Sequence, residues 1–144
     1  MAKSFSLEIV TPEKLFYWGD VEIVIAKTLS GEEGFMAGHV WACKLLGTGE
    51  LWFREAGAKD YRLAAVSGGF IDVRTGVLVF TDSAEWPDEI DVERANISCK
   101  REEEWLERHG PENETPEEAE EHRLAIRRAE NRRKVAAGGG RARK

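Results

Sequence analysis

The sequence predicts an α+β protein that is mainly β: an N-terminal antiparallel β-sandwich of about eight to ten strands, followed by a C-terminal antiparallel two-helix hairpin. Three observations support this fold class. Apolar and polar residues alternate with period two from Phe5 to Asp82, between turns that contain glycine. The period becomes helical after Ala84, and the pair Gly110-Pro111 then divides two helical segments. Alternating strands must bury one face, which favours two packed sheets.

The same pattern divides the 144-residue chain into three parts. We assign residues 1–84 to the sandwich and residues 85–137 to the hairpin, and we expect residues 138–144 to be a disordered basic tail.

The strands are justified in order by their alternation. Phe5, Leu7 and Ile9 define the first strand, and Val21, Ile23 and Ile25 define the second. Four later segments have the same character: ELWFRE at 50–55, YRLAAV at 61–66, GGFIDV at 68–73 and VLVFTD at 77–82.

The two helices are justified by their end signals. Pro87 or Asp91 begins a first helix that runs to about His109. In the second, Thr115 is the N-cap of a capping box with Glu118, and the helix ends at about Ala137. The short connection makes the helices antiparallel.

Each helix carries only a thin apolar stripe. In the first helix the stripe is Ala95, Cys99 and Leu106, with Trp105 beside it, and in the second it consists of Ala119, Ile126 and Ala129. We therefore expect the hairpin to be marginally attached and able to change partners.

The net charge of −6 conceals a strong partition. Residues 1–84 carry −3, residues 85–122 carry −11 and residues 123–144 carry +8. A basic last helix can simply complement the helix dipole, or it can bind an acidic protein surface or a polyphosphate. Nucleic acid is not expected, because no aromatic residues lie among the bases and the neighbouring −11 segment repels phosphates.

The two cysteines suggest neither a disulfide framework nor a zinc site, since Cys43 and Cys99 are far apart and lack a CxxC pattern. We expect both to be buried. No apolar run reaches the roughly 18 residues of a membrane span, and the N-terminus does not resemble a signal peptide. We also find no phosphate-binding loop, nucleophile elbow or metal-ligand spacing of histidines, so we expect no catalysis by this chain and no catalytic or metal-ligating residues.

Four segments, taken in order, resemble the epsilon subunit of bacterial F-type ATP synthases. They are LEIVTPEKLFYWGDVE at Leu7–Glu22, GEEGFMAGH at Gly31–His39, AVSGGFIDV at Ala65–Val73 and EIDVERA at Glu89–Ala95. Each segment alone is a weak signal, whereas their combination is specific. The chain departs from the family pattern at Ala37 and Trp41, where prolines are common.

The resemblance implies a non-catalytic central-stalk subunit that contacts the gamma subunit and the c-subunit ring at the cytoplasmic face of the cell membrane. It implies a monomer when isolated, no required cofactor, and a hairpin that extends into the catalytic alpha/beta head to inhibit ATP hydrolysis. By resemblance, and for the arginines also from their charge, partner contacts fall on Gly38, His39, Arg123, Arg127 and Arg133.

The resemblance also implies a regulatory ATP site that is complete only in the compact hairpin. The matching positions are Glu85, Ile90, Asp91, Arg94, Ala95, Arg128 and Arg132. Arg128 and Arg132 are one helical turn apart, so they can clamp phosphates with forked donors. Two alternatives stay open: Asp91 can be only an N-cap, and the chain can be a free-standing binding module for an acidic protein partner.

Overall fold

The computed structural model describes residues 3–109 and 115–139. Within those ranges the chain forms nine strands, a short 3-10 helix and two α-helices. The strands are β1 (Phe5–Val10), β2 (Leu15–Thr28), β3 (Gly31–Met36), β4 (Ala42–Leu45), β5 (Gly49–Glu55), β6 (Arg62–Ser67), β7 (Phe70–Val73), β8 (Val77–Phe80) and β9 (Ser83–Glu85). The 3-10 helix is Pro87–Glu89, and the α-helices are α1 (Val92–His109) and α2 (Pro116–Ala136).

The strands form two layers that share the long strand β2. The first part of β2 pairs with β1, and β8, β7 and β4 continue that layer. The second part pairs with β3 on one side and with β5 on the other, and β6 and β9 continue from β5. The predicted sandwich and hairpin are therefore confirmed. One detail differs, because β1 and β8 run parallel while every other described pair is antiparallel.

The layers enclose one large apolar core. Leu7, Ile9, Val24, Phe35 and Phe53 are fully buried in it, as alternation predicts for the inward face of each strand. Outside the core, a second and smaller apolar cluster lies where the hairpin meets the sandwich. It consists of Ile25, Trp52, Leu63, Ala65, Ile90 and Val135.

The glycine pair in the SGGF segment has a steric reason. Gly69 has φ +94°, and a Cβ there would lie 1.9 Å from the carbonyl oxygen of Phe80. No side chain fits in that space, so the tight connection between β6 and β7 requires glycine.

The helix ends agree with the sequence where the structure describes them. The Asp91 carboxylate accepts the backbone N–H of Arg94 at 3.0 Å, which makes Asp91 the N-cap of α1. At α2, the Thr115 hydroxyl accepts the N–H of Glu118 and the Glu118 carboxylate accepts the N–H of Thr115, which forms the predicted capping box. The predicted stop at Gly110-Pro111 lies outside the described residues, as do residues 140–144 of the predicted tail.

The helices pack antiparallel along their small residues. Ala95 and Cys99 of α1 and Ala119 and Ala129 of α2 are buried, as the thin stripes predict. Towards the other end of the hairpin, the Trp105 ring stacks on His122 of α2 with 3.7 Å between centroids. Small residues thus let the helices approach closely, and the stacking of Trp105 on His122 holds them together near the other end of the hairpin.

One burial prediction is wrong. Cys99 is buried, but Cys43 is exposed. Cys43 lies on the short strand β4, which ends its layer and alternates half-buried with exposed positions. Among the described residues, no helix is long and apolar enough to cross a membrane.

Candidate functional site

A cavity of about 290 Å³ opens where α1 and α2 meet the sandwich. This volume is near the lower end of the roughly 300–1,000 Å³ of small-molecule sites. Residues of the sandwich, α1 and α2 line it: Thr48, Ala65, Val66, Ser67, Ser83, Glu85, Ser98, Ala125, Arg128, Ala129, Asn131 and Arg132. Because both modules contribute, the cavity exists only while the hairpin is docked.

Two arginines of α2 dominate the chemistry of the cavity. Arg132 donates from Nε and Nη2 to the two carboxylate oxygens of Glu85, at 2.7 and 3.0 Å. Arg128 donates from Nε to Ser67 Oγ at 2.8 Å, and that hydroxyl also contacts Thr48 Oγ1 at 3.0 Å. Both contacts cross from the hairpin to the sandwich. The forked guanidinium groups are suited to phosphate oxygens. For Arg132 to bind a phosphate, at least one of its two hydrogen bonds to Glu85 would have to break.

The five charged residues among the predicted ATP residues fall into two groups. Glu85, Arg128 and Arg132 line the cavity together. Asp91 and Arg94 are exposed and are not among its lining residues, so their observed contact is the helix cap. The capping alternative is therefore realised geometrically, and a role of these two residues in ATP binding stays a prediction.

Ile90 and Ala95, the other two predicted residues, have packing roles in this structure. Ile90 belongs to the small cluster between hairpin and sandwich, where it accompanies Val135. Ala95 is fully buried. Neither side chain has a polar atom, so each supports the cavity walls rather than binding a ligand by hydrogen bonds.

The hairpin is held mainly by α2. This helix contacts β5, β6 and the 3-10 helix, and α1 packs on α2. Val135, in the last turn of α2, is fully buried in the small cluster with Trp52 and Leu63. Asn131 adds a hydrogen bond of 2.9 Å from Nδ2 to the Gly49 carbonyl oxygen. The docked state thus depends on a limited set of contacts.

The end of α2 allows a paired test of this docking. Gly138 and Gly139 both have positive φ, at +102° and +86°, so alanine costs roughly 1–2 kcal/mol of backbone strain at either position. A Cβ on Gly139 would also lie 2.6 Å from Trp52 Cζ2, whereas a Cβ on Gly138 meets nothing within 4 Å. Gly139→Ala should therefore weaken docking by about 1–3 kcal/mol more than Gly138→Ala does.

Trypsin provides the measurement, because α2 is rich in arginine and lysine. We expect faster cleavage within α2 in Gly139→Ala than in Gly138→Ala. Equal cleavage rates in the two variants would contradict the packing of the α2 end on Trp52.

The arginines predicted to contact a partner lie outside the cavity. Arg127 Nη2 donates to Glu120 Oε1 at 2.7 Å, and Arg123 lies 3.9 Å from the same carboxylate group. The hydrogen bond from Arg127 is the largest cause that lowers the pKa of Glu120. Arg133 donates to Asn96 Oδ1 at 3.2 Å. These exposed contacts are weak, which leaves the arginines able to exchange partners.

Gly38 and His39 lie on the turn between β3 and β4. The backbone N–H of His39 donates to the Met36 carbonyl oxygen at 3.1 Å, and the His39 ring contacts Phe35 edge-on. Three apolar side chains are exposed on this turn or at the end of β3 that leads into it: Met36 at 58%, Val40 at 77% and Trp41 at 70%. Such a concentration of exposed apolar surface indicates an interaction site.

Sequence reasoning missed several residues of the site. Ser67 precedes the glycine pair of SGGF and was not considered as a partner of Arg128. Asn131 lies between Arg128 and Arg132 in the sequence, but the predicted site includes only the two arginines. Val135 could have been found as the large apolar residue nearest the end of a mostly polar helix.

Comparisons with known proteins place this arrangement in a family. Residues 4–87 match the model of the ATP synthase delta/epsilon chain β-sandwich domain. A protein of Caldicellulosiruptor bescii named ATP synthase epsilon chain is 38% identical over 133 residues, which cover 92% of this chain and 93% of that protein. A protein of the same name from Bacillus pumilus is 39% identical over 135 residues, which cover 93% and 98%.

Solved structures agree on the fold. A chain in the cryo-EM structure of Euglena gracilis mitochondrial ATP synthase, which comprises OSCP, F1 and the c-ring in rotational state 1, superposes with a TM-score of 0.72. The superposition covers 89% of this chain and 78% of that chain, at 24% identity. A chain in the central stalk and c-ring structure of Tetrahymena thermophila mitochondrial ATP synthase gives a TM-score of 0.57 over 91% and 97%, at 14% identity.

Proposed function

Because the chain belongs to the delta/epsilon-chain family of ATP synthases, we propose that it couples the rotor to the catalytic head as a regulatory subunit of the central stalk. The support is its identity to relatives named ATP synthase epsilon chain over most of their length. In this role it binds the gamma subunit and the c-subunit ring, at the cytoplasmic face of the membrane. It needs no cofactor, since its work is mechanical.

The turn between β3 and β4 is the candidate surface for these rotor partners. Exposed Met36, Val40 and Trp41 surround Gly38 and His39, and burying three such side chains against a partner contributes about 1.5–3 kcal/mol each. Trp41 stands where the family commonly has proline, so this chain offers a larger apolar contact there.

The hairpin acts as a mobile brake on ATP hydrolysis. Its attachment to the sandwich rests on α2, the small apolar cluster around Val135 and a few polar contacts. Released from the sandwich, it would carry the arginines of α2 towards acidic surfaces of the alpha/beta head. In the docked state Glu120 pairs with Arg123 and Arg127. On release, acidic groups of the head would replace Glu120 as the partners of these two arginines.

ATP is the ligand that favours the docked state. The observation that carries this proposal is the cavity at the junction, where Arg128 and Arg132 converge from α2 on polar groups of the sandwich. The phosphates would lie between the two arginines, which exchange Ser67 and Glu85 for phosphate oxygens. A ligand that requires both modules binds only the docked hairpin and stabilises it by linkage.

The size of this linkage limits the mechanism. ATP at about 100 times its dissociation constant contributes roughly 2.7 kcal/mol to the docked state. A change in the ratio of docked to extended hairpin from 1:99 to 99:1 requires about 5.5 kcal/mol. ATP can therefore act as a switch only if the docked and extended states are closely matched without it, which the limited contacts of the hairpin make feasible.

Truncation tests the brake in the assembled complex. The structure sets the cut: Trp86 stacks on Phe16 at 4.3 Å between ring centroids and packs on the main core, so a deletion must spare it. Deletion of residues 88–144 should accelerate ATP hydrolysis about 5-fold or more, within the 5- to 150-fold of typical allosteric couplings.

As a control, the truncated chain should still co-purify with the gamma subunit, which shows that the deletion has not removed it from the complex. An unchanged hydrolysis rate in a complete complex would contradict the brake.

A further inference from the structure

Three potential metal ligands meet between the two helices. Cys99 lies on α1, Glu103 follows it by one helical turn, and Glu130 faces them from α2. The Cys99 sulfur and one carboxylate oxygen from each glutamate all lie within 4.8 Å of one another. Sequence reasoning could not detect this group, because its ligands come from two helices and include only one cysteine.

Among the described residues, neither carboxylate of this group has a cation bonded to it. Within residues 3–109 and 115–139, neither Glu103 nor Glu130 forms an ion pair. Arg133 is close enough to act on Cys99 electrostatically, but its guanidinium donates to Asn96. Two carboxylates thus approach each other from facing helices, both exposed to solvent, and among the described residues neither is bonded to a cation.

The thiol lies at the buried end of the group. Cys99 is 3% exposed, and its one described polar contact is the donation of its S–H to Glu103 at 3.5 Å. Burial raises the pKa of the Cys99 thiol, and the hydrogen bond to Glu103 raises it further. Among the described residues, the sulfur has no hydrogen-bond partner outside the group.

One sulfur and two carboxylate oxygens form a donor set suited to a borderline divalent cation. Zn²⁺ binds thiolates at about 2.3 Å and carboxylates at about 2.0–2.2 Å, with a water molecule as a fourth ligand. At those metal–ligand distances the donor atoms would lie closer together than the 4.8 Å within which they lie here, so metal binding would draw them towards one another. Mg²⁺ and Ca²⁺ prefer oxygen ligands alone and are disfavoured by the sulfur.

We propose that Cys99, Glu103 and Glu130 bind one Zn²⁺ ion that links α1 to α2 while the two helices are packed together. On binding, the sulfur gives a lone pair to the metal and the thiol proton passes to solvent, without any change of oxidation state. Because α2 supplies one ligand and α1 the other two, the complete site exists only while the helices are packed. Zinc therefore opposes separation of the helices.

This site is separate from the ATP cavity. None of its three ligands lines the cavity, and neither Arg128 nor Arg132 belongs to it. A failure of zinc binding would leave the nucleotide proposal intact, and a failure of nucleotide binding would leave the zinc site intact.

Direct binding to the full-length chain tests the proposal, with Zn²⁺ in calorimetry and Cd²⁺ as a spectroscopic probe. We expect one Zn²⁺ per chain and a thiolate-to-Cd²⁺ charge-transfer band. Cys99→Ser should abolish the band and weaken Zn²⁺ binding about 100-fold, at least as much as the 10- to 100-fold loss for outer-shell partners of metal sites. The matched control is Cys43→Ser, which removes the exposed thiol of β4 and should leave both signals unchanged.

Glu130→Gln is a second variant that should fold normally, because Glu130 is exposed and glutamine has nearly the same shape as glutamate. It keeps the test decisive if Cys99→Ser fails to fold. It should weaken Zn²⁺ binding about 10-fold or more. Hydrogen exchange of the α1 and α2 amides should slow on adding Zn²⁺ to the wild-type chain and not to Glu130→Gln. The proposal is overturned by the absence of stoichiometric Zn²⁺ binding, by binding that survives both Cys99→Ser and Glu130→Gln, or by binding that depends on Cys43.

Discussion

Val135→Asp should release the hairpin from the sandwich and strengthen inhibition of ATP hydrolysis in the assembled complex. Val135 is fully buried between α2 and the sandwich, in the cluster with Trp52, Leu63 and Ile90. The change removes about 1.5–3 kcal/mol of apolar burial and adds the cost of a buried, unpaired carboxylate. A total of at least about 3 kcal/mol shifts the docking equilibrium on the order of 100-fold.

The measurement is the hydrolysis rate of the complex that contains the variant, at constant ATP. Ala137→Asp is the matched control, since it adds the same charge two residues later at an exposed position and should leave the rate near that of the wild type. The sandwich should keep its thermal stability in both variants, because its main core does not include Val135. Faster hydrolysis with Val135→Asp than with the wild type would contradict the role of the released hairpin as the brake.

Removal of either cavity arginine should abolish most ATP binding by the isolated chain. Calorimetry of the wild type should detect one nucleotide site. Arg128→Ala and Arg132→Ala should each weaken it about 10- to 150-fold, which corresponds to the loss of a charged hydrogen bond worth 1.5–3 kcal/mol. Lys134→Ala is the control, because it removes the same charge from an exposed position of the same helix. Heat of ATP binding that is equal in all four proteins would rule out the cavity as the site.

Asp91 requires a variant that separates its two possible roles. Asp91→Ser retains an N-cap oxygen for the Arg94 amide and removes the carboxylate charge. Reduced ATP affinity in this variant would mean that α1 moves Asp91 into the site when ATP binds. Unchanged affinity would mean that Asp91 is a cap only, as its exposed position in this structure indicates.

The strands that could be predicted from the sequence are those whose alternation is long and regular. Phe5–Val10 and Val77–Phe80 alternate clearly, yet nothing local in them shows that they pair with each other in parallel. That pairing depends on the path of the chain between them. The segment Gly31–Met36 is not among the predicted strands, because its two glycines lower strand propensity, yet it pairs with β2 along its full length.

The site was predictable to the extent that it depends on helix periodicity and family resemblance. Arg128 and Arg132 lie one turn apart, so their common face followed from the sequence. Their partners Ser67 and Glu85 lie 61 and 47 residues earlier in the chain, and only the folded arrangement brings them together. The burial of Cys43 was predicted wrongly because cysteine was treated as a small apolar residue, whereas its strand ends a layer and turns it outward.

One distance tests most directly whether the hairpin docks on the sandwich under the control of ATP. The distance is measured between two spin labels, one at Lys59→Cys in the exposed turn after β5 and one at Glu121→Cys on the exposed face of α2. Both native cysteines are replaced, by Cys43→Ser and Cys99→Ser, so that no other site is labelled. In the assembled complex, we predict one narrow distance population at saturating ATP and a second, longer population when ATP is removed. An identical distance distribution with and without ATP would contradict the control of docking by ATP.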